Sequence, residues 1–157
     1  MKICCFAGHS SIFGKKDLSE KLRKEIVNLI ENHNVTTFYN GGKGDFDWLC
    51  AKTIQELKKE YSFIKSYCIL SYMPKEKDEY DNTLKIFDDT IYPDIENVPP
   101  KFAIIKRNEW MVKNSDFMIA YVNYPWGGAY KTLQYAERKK NIKIINLVAE
   151  KNEYESF

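Results

Sequence analysis

Ile3-Cys4-Cys5-Phe6-Ala7-Gly8-His9-Ser10 carries an unbroken apolar run that stops at a glycine. A strand buried on both faces reads this way, and such strands belong to parallel sheets. Working outward, the pattern recurs. Residues 35–39, 64–72, 116–122 and 142–148 read as further strands, rich in β-branched and aromatic side chains. Helical periodicity fills the spaces between them. Asp17, with Glu20 three residues on, reads as a capping box, and Leu18, Leu22, Ile26, Leu29 and Ile30 form one apolar stripe ending near His33. Further helices are predicted over 47–61, 101–114 and 129–140. Alternating strands and helices predict an α/β fold: a single Rossmann-like, three-layer domain over residues 1–157 with a mostly parallel sheet of about five strands. Residues 73–100 hold Pro74, Pro93, Pro99, Pro100 and a charged run, and read as an irregular insertion or lid. A polar tail occupies 150–157.

Composition narrows the function classes. A chain of 157 residues is long enough to bury a core without a metal or disulfide staple. With 24 basic and 22 acidic side chains, the formal charge is +2. No strong field follows, so membrane binding is not expected and nucleic acid is an unlikely partner. Cys4, Cys5, Cys50 and Cys68 contain no CxxC pair and read as buried free thiols in a reducing compartment. Together with His9 and His33 they supply no ligand spacing, so no metal is expected. No segment has the length of a membrane span or the pattern of a signal peptide, which predicts a cytoplasmic protein.

In doubly wound sheets, ligands sit beyond the carboxyl ends of the strands. Three Gly-rich turns fall there: Gly8-His9-Ser10, then Gly41, Gly42 and Gly44, and then Gly127-Gly128-Ala129. Paired glycines before a helix let backbone approach a ligand closely, and the helix start offers free N–H groups to a phosphate. Tyr130 and Thr132 stand in the same first turn. Lys131 is also there, where the helix dipole disfavours a cation unless an anion is bound. The turn at 40–47 is not a Walker A loop. It also fails the dinucleotide fingerprint, because Asp47 occupies the third glycine's place. Asp47 suits a helix cap or a sugar hydroxyl. Arg107 shares a helical stripe with Ala103 and Met111, so it must pair, for instance with Asp116, or face a ligand. Asn108 beside it both donates and accepts. His9 and Ser10 offer hydrogen bonds at a pocket floor.

These segments resemble the SLOG superfamily, the group containing the DNA-processing protein DprA and the Lonely-guy phosphoribohydrolases, and within it the YspA/YpsA-like branch of bacteria and phages. The resemblance is carried by residues 4–9, 44–47, 107–112, 115–120 and 126–130, with Tyr135-Ala136 and Ile144-Ile145. It implies a Rossmann-like fold that binds nucleotides or nucleotide-derived ligands, often as an oligomer. Two departures stand out. Most relatives carry Gly-His-Arg where this chain has Gly8-His9-Ser10. In the Lonely-guy pattern Pro-Gly-Gly-x-Gly-Thr-x-x-Glu, the glutamate's place falls on Gln134, and Tyr130 and Lys131 occupy the Gly-Thr positions.

The function expected is binding, by sensing or sequestration, of a nucleotide or nucleotide-derived ligand such as an ADP-ribose-type signal, without turnover and without a cofactor. The alternative is a nucleotide N-glycosidase using Arg107 and Asp47. A DNA-processing role is disfavoured by the near-neutral charge. The helix near Trp110 and the turn Tyr124-Pro125-Trp126 offer surplus aromatic surface, which predicts a homo-oligomer.

Overall fold

A computed structural model describes residues 1–148; the predicted tail, 150–157, lies outside the described residues. Six strands alternate with five α-helices: β1 (Lys2–Gly8), α1 (Lys15–Asn32), β2 (Val35–Asn40), α2 (Gly44–Leu57), β3 (Lys65–Ile69), α3 (Lys77–Leu84), β4 (Asp89–Ile91), α4 (Ala103–Lys113), β5 (Phe117–Tyr121), α5 (Gly128–Glu137) and β6 (Lys143–Asn146). A short 3₁₀ turn, Pro100–Phe102, leads into α4. All strands are parallel, in the order β4-β3-β2-β1-β5-β6.

Alternation along β1 explains the layers. Cys4 and Phe6 point to one face, where α1 and α2 cover them with Leu22, Ile26, Leu29, Phe46 and Ile54. Cys5 and Ala7 point to the other, against Met111 and Val112 of α4 and Leu133 and Ala136 of α5. An apolar run without alternation is therefore what a strand buried on both sides requires. The chain builds outward from β1 to β4 on one side, then returns to place β5 on β1's other edge. The crevice above β1 and β5 is thus the point where the strand order reverses.

Four details differ from the reading of the sequence. The sheet has a sixth strand, β4, inside the segment expected to be irregular. It is three residues long and is pinned to β3 by Asp88, whose carboxylate accepts the Ser66 N–H at 2.8 Å and an ion pair from Lys58. Lys58 and the Ser66 amide together hold the Asp88 carboxyl below its ordinary value against the opposing effect of burial. The same segment contains α3, which buries none of its residues and so has no apolar stripe to read. Asp17 is not a cap: α1 starts at Lys15 after Gly14, whose φ of 65° ends the preceding loop. Finally, α2 begins at Gly44 rather than Asp47, because the Asp45 N–H bonds Ser10 O at 2.8 Å and Asp47 Oδ2 accepts the Lys43 N–H at 3.1 Å.

The junction between β1 and α2 leaves no room for a side chain at position 8. A Cβ built on Gly8 would lie 2.2 Å from Cδ2 and 2.7 Å from Cβ of fully buried Phe46. Gly8→Ala is expected to lower unfolding stability by about 1–3 kcal/mol, read by urea denaturation, without loss of secondary structure. An unchanged midpoint would show that this junction yields.

Candidate functional site

A cleft of about 260 Å³ opens at the reversal point, above the carboxyl ends of β1 and β5. Its walls come from every turn singled out in the sequence. Gly8, His9 and Ser10 follow β1; Asp47 is on α2; Arg107 and Asn108 are on α4; Gly127, Gly128, Ala129 and Thr132 form the start of α5. Lys43, Ile104 and Tyr124 line it as well, beyond the residues that the sequence singles out. Lys43 could have been found, since it lies inside the second Gly-rich turn. Gly41 and Gly42 line a smaller adjoining recess, which meets the cleft at Lys43 and Arg107. Gly44 and Tyr130 line neither. Gly44 opens α2 with φ of 88° and Ser10 Cα only 2.6 Å from a Cβ built there. Tyr130 packs against the apolar cluster that includes Met111 and Leu133, its hydroxyl accepting from the Gln134 amide at 3.2 Å.

Arg107 is 2% exposed. Its Nη1 donates to Gly41 O at 2.9 Å and Ile69 O at 3.0 Å, and its Nε donates to Asn108 Oδ1 at 2.8 Å. Asp116 is elsewhere, receiving the Ile3 N–H and the Lys2 ammonium. No carboxylate among the described residues forms an ion pair with Arg107. Burial lowers the guanidinium's proton affinity and Asp47 partly restores it. Asp47 is 8% exposed, and burial pushes its carboxyl up to about 7, against the Lys43 amide and the Arg107 charge.

His9 is buried, and burial lowers its pKa. Its Nε2 accepts the Asn123 N–H at 3.0 Å, so the neutral ring carries its proton on Nδ1. Tyr124 stacks on it with centroids 3.6 Å apart. The residue thus fixes the turn after β5.

The two helix starts facing the cleft differ. At that of α2 the Asp45 N–H bonds Ser10 O, and the Lys43 N–H just before the helix bonds Asp47 Oδ2. That of α5 has no side-chain cap, and the amides of Gly128, Ala129 and Tyr130 donate to none of the described residues; Lys131 N returns to Gly127 O. Thr132 Oγ1 donates to Gly128 O at 2.9 Å. A Cβ at Gly127 or Gly128 would meet nothing within 4 Å. The φ of 92° at Gly127 demands glycine, whereas Gly128 faces open space alone.

Neither a protein-family model nor a curated protein matches the chain in sequence. Solved structures match in fold. DNA processing protein A (DprA) from Streptococcus pneumoniae superposes with a TM-score of 0.67 at 13% identity, covering 99% of this chain and 56% of that protein. The chain therefore spans little more than half of the pneumococcal protein's length. DNA processing protein A from Helicobacter pylori, described by its single-stranded DNA binding mode, superposes with a TM-score of 0.61 at 12% identity, covering 98% and 73%. The chain has the Rossmann-like fold of these two proteins. The expectation that nucleic acid is an unlikely partner is corrected by the Helicobacter protein, because this fold serves a single-stranded DNA binder. Net charge sums over the whole surface and is silent about how cations are placed around one cleft. Among the described residues, no helix is long and apolar enough to cross a membrane.

Asp47 makes the site pH-dependent. Its pKa rises from 3.8 to about 7 on folding, so the folded state holds a proton that the unfolded chain releases. Stability is therefore lost as pH climbs from about 4 through 7, by up to about 4 kcal/mol. An asparagine keeps the acceptor for Lys43 N–H without the charge. Asp47→Asn is expected to match the wild type at pH 4.5 and exceed it by about 2–4 kcal/mol at pH 8, measured by denaturant titration at both pH values. Equal stability at pH 8 would mean that the carboxylate is not penalised.

Proposed function

We propose that the cleft binds a nucleotide or nucleotide-derived ligand, such as an ADP-ribose-type compound, by a phosphate at the start of α5, and holds it intact. The observation that carries this reading is the uncapped α5 N-terminus, with three free amides beside two glycines that face empty space. The charges agree: Arg107 lies beneath the cleft and Lys43 at its rim. Absence of turnover rests on the resemblance, in which Gln134, a residue that cannot take a proton, holds the catalytic glutamate's place.

A second reading, a nucleotide N-glycosidase, is favoured by one observation: Asp47 lines the same cleft with its pKa near 7, where a general acid or base works best. Arg107 would then steady the carboxylate, since Nε and Nη1 are committed to protein acceptors.

The reading extends to setting and assembly. Four free, buried cysteines support a reducing, cytoplasmic location. Phe102, Ile104, Ile105 and Trp126 stand exposed around the cleft's outer side, Trp126 at 64%, and support a homo-oligomer. A place in the YspA/YpsA-like branch rests on the sequence resemblance.

Calorimetry with nucleoside monophosphates, each against its nucleoside, and with NAD and ADP-ribose tests the proposal. Phosphorylated compounds are expected to bind at least about tenfold more tightly and to be recovered unchanged. Gly128→Val, which fills space that no protein atom occupies, is expected to abolish binding while leaving the melting temperature in place. Retained binding in that variant would exclude the α5 site. Base release that Asp47→Asn abolishes would establish the glycosidase. A single-stranded oligodeoxynucleotide that displaces the nucleotide would place a DNA strand in the same cleft.

A further inference from the structure

Three rings climb out of the cleft beside the start of α5. His9, at the foot, is 4% exposed. Tyr124 stacks on it with centroids 3.6 Å apart and planes 6° from parallel, and itself lines the cleft. Trp126 stands on Tyr124 at 4.5 Å, tilted by 32°. Since His9 covers one face of the tyrosine, an indole this close lies over the other. The ladder therefore runs from the buried floor to the rim and ends on a ring that is 64% exposed. Among the described residues Tyr124 is the one ring that meets Trp126, so the outward face of the indole is uncovered.

The ladder is held from below. His9 Nε2 fixes the turn through the Asn123 N–H at 3.0 Å, and Pro125, between the two upper rings, locks its own φ. A flat surface held in this way keeps the ordering cost of a stacking partner low. It also adjoins the proposed phosphate site. Gly127 and Gly128 follow Trp126 directly, and consecutive Cα atoms are about 3.8 Å apart, so the Cα atoms of Trp126 and Gly128 lie within about 7.6 Å of each other. The sugar of one nucleotide bridges a gap of this order, between a phosphate on the open amides of α5 and a flat group on the indole. A phosphate alone has no use for the ring, and an aliphatic group forgoes the stacked geometry that aromatic pairs prefer. A planar π-system carrying a phosphate uses both, and every nucleobase has such a face.

We infer that Trp126 is a base-stacking platform: the nucleobase of the ligand lies on the outer face of the indole, as the fourth ring of the ladder, while its phosphate occupies the start of α5. The inference rests on the phosphate reading above and adds the place and kind of the group at the ligand's other end. A base stacked on an aromatic side chain strengthens binding by about five- to hundredfold. The base belongs either to a free nucleotide or to a single strand, and the two sources are separable by experiment.

Calorimetry with AMP beside ribose 5-phosphate tests it, because the second compound is the first without its base. The wild type is expected to bind AMP at least about fivefold more tightly. Trp126→Ala is expected to shrink that ratio below about twofold by weakening AMP alone, and Trp126→Phe to keep it above about threefold. Trp126 is exposed, so both variants fold. Equal binding of the two compounds by the wild type, or a ratio that survives in Trp126→Ala, overturns the platform and leaves the phosphate site standing. Binding of neither compound overturns both. Loss of the AMP preference together with a smaller assembly in sedimentation of Trp126→Ala gives the ring to a second copy and also overturns the platform. A single-stranded oligodeoxyadenylate that binds more tightly than AMP, and loses that affinity in Trp126→Ala, keeps the base on the indole and identifies its source as a strand.

Discussion

One guanidinium organises the carboxyl end of the sheet. Arg107 reaches from α4 under the turns that follow β2 and β3, and a single nitrogen, Nη1, holds the carbonyls of Gly41 and Ile69. Residues 66 and 38 positions away in the chain are thereby set at fixed places around the cleft. Such a group is costly to bury unpaired, and here carbonyl dipoles and Asn108 replace its water. The missing carboxylate partner leaves a net positive charge beneath the site. That charge favours an anion above it and holds the Asp47 pKa below where burial alone would carry it.

The rest of the cleft follows from where the protein does and does not satisfy its own backbone. The turn after β2 is closed upon itself: Asn40 reaches Asp47 O and Gly42 N, Asp47 takes Lys43 N–H, and Ser10 O takes Asp45 N–H. These bonds make α2 start early and lock it against β1. At α5, by contrast, Gly127 supplies no side chain and three amides remain open. A helix dipole ending in open space beside the exposed Gly127 and Gly128 draws an anion to one point. Rigidity on one wall and vacancy on the other give the crevice its direction.

Much of this is legible in the sequence alone. The unbroken run at 3–7 announced a doubly covered strand, and Phe6 and Cys5 do face opposite layers. The glycine-rich turns marked strand ends because Gly42 and Gly127, at φ of 69° and 92°, take a backbone conformation that other residues rarely adopt. The less legible parts lacked the signal that reading depends on. β4 is three residues held by Asp88, with no run long enough to show a period. α3 is polar throughout. Asp47 reads equally as a cap or as a partner for a sugar hydroxyl; that it bonds backward to Lys43 N–H depends on tertiary placement. The charge argument failed for a related reason, being a sum blind to arrangement.

The central claim is that the cleft holds a phosphate-bearing nucleotide-type ligand intact. The most direct measurement is mass spectrometry of small molecules released when the purified protein is denatured. The account predicts an intact nucleotide-type compound, near one per chain, absent from a Gly128→Val preparation made in parallel. Release of free base with sugar phosphate, or of the same compound from both preparations, would contradict it.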